Sequence, residues 1–463
     1  MLFEKIKEYS EKELFALASE STKITYKELY KKLAENQALL RMNGFCENDT
    51  VVLKITNQVH YVIAFLSLLS IPCWVVPVPS NIMPGELENV LADTAGKLFD
   101  DSTYSSLESC GGAPTDLQMP NPEMGGIYHL TSGSTGKSKL CVRTVKHLSL
   151  EGECFRREFG LEASESIISA SPVYHSFALG AALMTAFMSG CLLYVVDSFA
   201  PRQILRMIHN NKINILIMVP AMARALCNTY TKQNYSLESI RIALVGAGPV
   251  TKDLYETIKD KFGITLFSNY GSTETGGIIS RLVPMPYKSI GKPMKGVKVK
   301  LCDSSHNAVG TGEEGEVWVK GTYMMQGYLG EEKSIYDEDG FFNMGDLAYM
   351  DEGGFLYITG RTKLLINIGG KKVNPYEVEK TILKHPAVEE CAVTGFVKDN
   401  GEECVKATIV ASDVTEEQIY DFCSKYMNKH QCPTVIEFAE KLPRNSLGKI
   451  LRDVLNKNIS EIS

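Results

Sequence analysis

"LTSGSTGKSKL", residues 130–140, packs two glycines, four hydroxyl side chains and two lysines into nine consecutive positions from Thr131 to Lys139, with Ser138 adding a fifth hydroxyl. Gly133 and Gly136 let the backbone curl and turn its N–H groups toward anionic oxygens. Thr131, Ser132, Ser134 and Thr135 add donors, and Lys137 and Lys139 add positive charge. The stretch reads as a phosphate loop. Its nearest general relative is the Walker A pattern G-x-x-x-x-G-K-[ST]. Gly136-Lys137-Ser138 supplies the end of that pattern, but Thr131 stands where its first glycine belongs. The kinase or ATPase reading therefore misses by one residue, and the surrounding chain decides.

Outward from the loop, short apolar runs alternate with amphipathic stretches. The runs are "VVLKIT" (51–56), "SIISASPVY" (166–174), "CLLYVVD" (191–197), "NILIMVP" (214–220) and "IRIALVGA" (240–247), and "PRQILRMIHNNK" and "TKDLYETIKDKFG" carry helical spacing. This alternation predicts an α/β fold with layered, mainly parallel sheets and helices. From about Val297 the texture changes to short strands and turns in "VKVKLCD", "GEVWVKG" and "GGFLYITGR". After Arg361 it changes again, to a compact α+β pattern. The expected organisation is a large N-terminal domain, 1–361, with a small β-rich subdomain at about 297–361, then a small C-terminal domain, 362–463.

Bulk properties narrow the class. A chain of 463 residues, 44% hydrophobic and 22% charged, has material for two to four domains with ordinary cores. The formal charge of −7 gives no sign of general nucleic-acid binding, though a local basic groove remains compatible with it. The 12 cysteines contain no C-x-x-C pair and the 8 histidines no H-x-x-x-H, which argues against a zinc ribbon, a redox pair or a protein-ligated transition metal. "MLFEKIKEYSEKEL" reads as a charged amphipathic helix rather than a signal peptide. Reduced thiols in a cytoplasm are the expectation. The apolar run 61–80 is broken by Pro72, Pro77 and Pro79, so a buried helix followed by a buried strand is expected, not a membrane span.

Four further stretches complete the pattern: "NYGSTETGG" (269–277), "MGDLAYMDEGGFLYITGR" (344–361), "INIGGKKVNPYEVE" (366–379) and "PRNSLGKI" (443–450). With the opening loop, this ordered set resembles the adenylate-forming superfamily of acyl- and aryl-CoA synthetases, peptide-synthetase adenylation domains and luciferases. The resemblance runs from about residue 20 to 455.

The resemblance implies the following roles. The loop from Thr131 to Lys139 holds the β- and γ-phosphates of ATP, with Ser138 in place of the usual proline. Asn269, Tyr270, Gly271 and Ser272 border the nucleotide, with Tyr270 packed on adenine and the Thr273 hydroxyl near the α-phosphate. Glu274, with Thr131, serves Mg²⁺, a cation that prefers hard oxygen ligands. Asp346 and Arg361 reach the ribose hydroxyls, or form a structural salt bridge, or do both, and Ile358 lies beside the nucleotide. Gly246, Ala247 and Gly248 border both adenine and the acyl pocket. His175 gates that pocket, which Ser176, Gly246, Gly271 and Gly277 help to line. Lys449 bridges the substrate carboxylate and the α-phosphate. Lys363 is the hinge, although Leu364 and Asn367 depart from the family's usual acid and lysine. Gly369, Gly370 and Lys371 line the path of an incoming thiol, while Lys371 and Lys372 contact a nucleotide phosphate or are simply solvated.

The implied function is ATP-dependent activation of a carboxylic acid as acyl-AMP, followed by transfer to a thiol, most often coenzyme A. Loading of a carrier-protein phosphopantetheine is the alternative acceptor. A P-loop kinase and a non-catalytic binding protein of the same fold are the remaining competitors. No aspartate occurs in "SPVYHSFALG" (171–180) to pair with an α-ammonium. Burying that ammonium unpaired would be costly, which points to an acyl or aryl acid rather than an amino acid. A monomer or homodimer is expected.

Overall fold

The computed structural model describes residues 1–110, 116–131, 139–231, 233–248, 250–279, 282, 286, 288–368, 371–397, 403–444 and 450–456; at Cys110, Lys363 and Asp453 the description covers the backbone alone. The chain forms two compact units, Met1–Lys298 with Val319–Phe342, and Val299–Trp318 with Asn343–Ser463.

The first unit contains two large sheets. One has seven strands in the order Leu266–Ser268, Ile242–Val245, Ile215–Met218, Ser166–Ser169, Leu192–Tyr194, Phe15–Ala18 and Lys23–Thr25. All neighbours in it run parallel except the last pair. The strands Ser166–Ser169, Ile215–Met218 and Ile242–Val245 are buried at every position, the continuous apolar pattern of a sheet covered on both faces. Helix Pro201–Asn211 shows why the sequence folds this way. Proline opens it, and Ile204, Leu205, Met207 and Ile208 fall on one stripe. That stripe is buried in one core with Ile168, Leu216 and Ala243 of the sheet. Full burial of each such side chain contributes about 1.5–3 kcal/mol. Helix Lys252–Phe262 is capped by Thr251, whose side chain accepts from the Leu254 N–H, and ends at Gly263 in the left-handed region (φ 71°).

The second sheet has six strands in the order Gly327–Tyr328, Lys139–Thr144, Gly126–Thr131, Trp74–Pro77, Thr50–Lys54 and Lys97–Asp100. Its last three pairings are parallel, whereas the first two are antiparallel. The apolar run 61–80 becomes the buried helix Gln58–Leu69 followed by the strand Trp74–Pro77, as expected. Among the described residues no helix is long and apolar enough to cross a membrane.

The pairing of Gly126–Thr131 with Lys139–Thr144 resolves the near-miss in the opening loop. Thr131 stands opposite Lys139, so residues 132–138 connect two neighbouring antiparallel strands. A Walker A loop leads from a strand into a helix. Here the helix, Val145–Phe159, begins only after the second strand. The P-loop kinase reading is thereby excluded on topology.

The second unit carries a four-stranded sheet ordered Lys298–Cys302, Gly315–Lys320, Phe342–Met350 and Leu356–Arg361, a hairpin of Ile366–Ile368 with Lys371–Val373, and a three-stranded sheet of Val388–Val397, Glu403–Ala411 and Val435–Phe438. Helix Pro375–Ile382 is capped by Asn374, and its Val378 and Ile382 are buried with Val393, Val405 and Ile409 of the three-stranded sheet. Arg452 donates to Glu379 of that helix and, at 2.8 Å, to the Val393 carbonyl.

Candidate active site

In the first unit the "NYGSTETGG" stretch folds as a tight hairpin of Tyr270–Ser272 with Gly276–Ile279. Its turn is held by the Ser272 N–H donating to Thr275 Oγ1 at 3.0 Å. Gly271 permits the close approach: a Cβ there would lie 2.0 Å from the Gly276 carbonyl oxygen. Thr273 and Glu274 are thereby set at the tip. Thr273 Oγ1 lies 3.5 Å from Ser176 Oγ, so the residue assigned to the α-phosphate meets a residue assigned to the acyl pocket.

Glu274 is fixed from a direction the sequence did not announce. Tyr328, on the edge strand Gly327–Tyr328, donates its hydroxyl to Glu274 Oε1 at 3.0 Å. Burial, with the Glu274 carboxylate next in weight, holds the Tyr328 phenol far above its ordinary pKa, so it stays a donor at any working pH. The Lys139 ammonium sits 4.7 Å from the centre of the Tyr328 ring and 2.6 Å from Glu331 Oε1. Thr131 Oγ1 donates to the Lys139 carbonyl at 3.3 Å. Glu274 thus offers one anchored hard carboxylate, and among the described residues no group of three or more His, Cys, Asp and Glu stands together. Such a donor set fits Mg²⁺, which takes few protein ligands where phosphates supply the rest.

The acyl-pocket segment begins at His175, which precedes the short helix Ser176–Ala178 and the buried π-helical turn Leu179–Met184. His175 is half-buried as a residue, but its Nε2 is closed off from solvent and has no hydrogen-bond partner. Desolvation lowers its pKa to about 4, so the imidazole is neutral at pH 7. Gly246 ends the strand Ile242–Val245 and lies against Phe177; a Cβ there would come 2.8 Å from that ring. Ala247 follows with φ 63° and is exposed beside Gly248. The Asn269 N–H donates to the Val245 carbonyl at 2.7 Å, while its Oδ1 is buried without a partner. The Gly277 N–H donates to Glu151 Oε1 at 2.9 Å.

In the second unit Asp346 and Arg361 face each other across neighbouring strands, with Arg361 Nε 2.7 Å from Asp346 Oδ1. Asp346 is 2% exposed, so the guanidinium offsets the cost of burying its charge. Ile358 pairs with Ala348 in the same ladder. Lys371 is exposed and opposite Ile368. Lys363 lies in the turn Thr362–Leu364. Ser132, Gly133, Ser134, Thr135, Gly136, Lys137, Gly369, Gly370 and Lys449 lie outside the described residues.

Sequence reasoning missed Tyr328, His129, Arg143, Glu151 and Tyr323. An arginine inside "KLCVRT" carries no sequence signal that it will be wholly buried; only the alternation of the strand hints at an inward face. His129 donates from Nε2 to the Tyr174 carbonyl at 3.0 Å, and desolvation depresses its pKa to about 3. Burial likewise lowers His147 to about 4. These groups set a pH dependence. Below about pH 6.5 the unfolded chain takes up protons that the folded chain refuses, so stability falls from there toward pH 4. A fully displaced histidine such as His129 contributes about 1.4 kcal/mol per pH unit across that window. Urea midpoints should therefore drop steadily between pH 7 and 5, and His129→Asn should flatten part of the slope; a flat wild-type profile contradicts this.

Comparison with known proteins agrees with this geometry. The 2-succinylbenzoate–CoA ligase of Bacillus licheniformis is 28% identical over 94% of this chain and 94% of its own length. A feruloyl-CoA synthase of Amycolatopsis is 27% identical over 93% of each. Among solved structures, the O-succinylbenzoate coenzyme A synthetase MenE of Bacillus subtilis is 25% identical. Its complex with the acyl-adenylate OSB-AMP superposes with a TM-score of 0.87, covering 98% of each chain. Its complex with ATP and magnesium ion gives 0.85, covering 98% of this chain and 99% of that one. The sequence matches the family described as "AMP-binding enzyme" over residues 2–99 and 95–329, and the "AMP-binding enzyme C-terminal domain" over 377–449. The chain belongs to the AMP-binding enzymes, the adenylate-forming superfamily.

Proposed function

We propose that this enzyme is an AMP-forming acid–CoA ligase acting on an aryl or simple acyl acid. Full-length relatives that are acid–CoA ligases support the reaction class. The observation that carries it to this chain's own atoms is the 3.5 Å approach of Thr273 Oγ1 to Ser176 Oγ, which joins the nucleotide turn to the acyl segment.

In the first step a carboxylate oxygen of the acid attacks the α-phosphorus of ATP. A P–O bond forms, the bond to the bridging oxygen breaks, and pyrophosphate leaves with the electron pair. In the second step the sulfur of coenzyme A attacks the acyl carbon, a C–S bond forms, and AMP departs as the C–O bond breaks; the thiol proton passes to solvent. Thr273 donates to an α-phosphate oxygen. Glu274, anchored by Tyr328, would hold Mg²⁺, which would offset charge on the phosphate oxygens. Asp346 accepts the ribose hydroxyls while Arg361 balances its charge. His175 is neutral, so it gates the pocket by shape rather than by charge. Much of the rate comes from positioning. Lys449 serves the first step, and a turn of the chain at Lys363 exchanges it for the Gly369–Lys371 segment in the second, a gating motion. With the hinge at Lys363, the first functional domain would run from 1 to 361, a division that differs from the two compact units, where residues 343–361 group with the C-terminal part of the chain. A cytoplasmic location fits the free thiols among the described cysteines, and we propose a monomer or homodimer there.

The test supplies ATP, Mg²⁺, coenzyme A and a panel of aryl and acyl acids. Equal yields of AMP and acyl-CoA are expected, and no AMP without acid. Thioester found only on an added holo carrier protein would remove coenzyme A as acceptor. Gly370→Leu should slow thioester formation at least about tenfold while sparing pyrophosphate exchange, since exchange does not use the thiol path. Loss of exchange with thioester formation retained would contradict that path.

A further inference from the structure

The edge strand Gly327–Tyr328 ends beside the phosphate loop, and the turn after it brings a carboxylate there. The strand runs antiparallel to Lys139–Thr144, with Tyr328 opposite Cys141. The pairing continues for one more residue, where the Leu329 N–H donates to the Leu140 carbonyl at 2.9 Å. Gly330 then takes the left-handed conformation (φ 78°), and the Glu331 N–H donates to the Tyr328 carbonyl at 3.2 Å, closing a tight turn. That turn delivers Glu331 to Lys139, with Oε1 2.6 Å from Nζ. The same ammonium lies 4.7 Å from the centre of the Tyr328 ring, whose hydroxyl donates to Glu274.

Lys139 is therefore held by a carboxylate and by an aromatic face together. Thr131 stands opposite it, so Lys139 closes the loop of residues 132–138. One aromatic ring separates its ammonium from the carboxylate assigned to Mg²⁺. An ammonium at this place suits the β- and γ-phosphates. Glu331 and a phosphate oxygen thus ask for the same cation.

Magnitudes decide the contest. The Lys139 side chain is 39% exposed and that of Glu331 40%. Ion pairs at such exposure hold weakly, because water screens the attraction and two long side chains must be ordered. A triphosphate carries several negative charges and takes an ammonium in short, charge-assisted bonds. Glu331 therefore does not block ATP. It subtracts from ATP affinity the small free energy of the pair that is lost, and it offers Lys139 a partner again as pyrophosphate leaves.

We propose that Glu331 is a positioning residue acting through Lys139: its carboxylate competes with the β- and γ-phosphates for the Lys139 ammonium and so weakens the hold on ATP and on pyrophosphate alike. This rests on the ATP-site reading above, in which Lys139 serves those phosphates. AMP lacks them, so its affinity lies outside the competition.

Calorimetric titration with MgATP, with pyrophosphate and Mg²⁺, and with AMP tests this in wild type, Glu331→Gln, Lys139→Met and the double variant. Glu331→Gln should tighten MgATP and pyrophosphate about two- to fivefold, the range of an exposed ion pair, and leave AMP unchanged. Lys139→Met should weaken MgATP, and in that background Glu331→Gln should lose its effect. Equal tightening with and without Lys139 would assign the gain to the general field of one negative charge and overturn the proposal. Unchanged or weaker MgATP binding in Glu331→Gln would remove the competition. Loss of AMP affinity in that variant would reveal a structural role instead, and would overturn the proposal too. MgATP binding indifferent to Lys139→Met would overturn the assignment of Lys139 to the phosphates and this inference with it. Failure of the wild type to bind MgATP would overturn the ATP-site reading itself.

Discussion

Lys449→Ala should lower acid-dependent pyrophosphate exchange by about 10²–10³ while leaving thiolation of supplied acyl-AMP within a fewfold of wild type. The expectation follows from where charge develops. In the first step the acid carboxylate and the α-phosphate, both anionic, must come together. One ammonium within about 4 Å of such a pair contributes roughly 4 kcal/mol at an effective dielectric near 20. In the second step a thiol attacks an already neutralised acyl carbon, so the same ammonium has little to offset. Quenched-flow measurement of the two half-reactions separates the cases. Equal loss in both would contradict the role given to Lys449.

Arg143→Met alone should destabilise the first unit by about 3–5 kcal/mol, because Glu151 then remains as a buried carboxylate with no cation. The Arg143→Met/Glu151→Gln double variant should recover most of that loss. Glutamine can still accept the Gly277 N–H, and a well-packed neutral pair of similar volume is often as stable as the ion pair it replaces. Urea unfolding of wild type, single and double variants measures the cycle. A single variant as stable as wild type would show that water reaches Glu151 and that the pair is not a closed element of the core.

The strands of the seven-stranded sheet were legible because continuous apolar runs such as "NILIMVP" leave little choice but a doubly covered strand. Helix Pro201–Asn211 was legible from its opening proline and single apolar stripe. The hairpin around residues 132–138 was not, since the pairing of Thr131 with Lys139 is a non-local fact that the glycine and lysine pattern does not encode. The same holds for Tyr328, separated from Glu274 by 54 positions, and for the burial of Arg143. The Asp346–Arg361 pair could be named from its motifs, but that the two stand directly opposite across a ladder required the register of the strands. Types of residue were readable from sequence, while the partners that orient them came from the fold.

The central claim is that this chain makes an acyl adenylate, and exchange of labelled pyrophosphate into ATP tests it most directly. Label should enter ATP only when a suitable carboxylic acid and Mg²⁺ are present, and should do so without coenzyme A. Acid-dependent formation of ADP in place of exchange, or exchange indifferent to the acid, would contradict the claim.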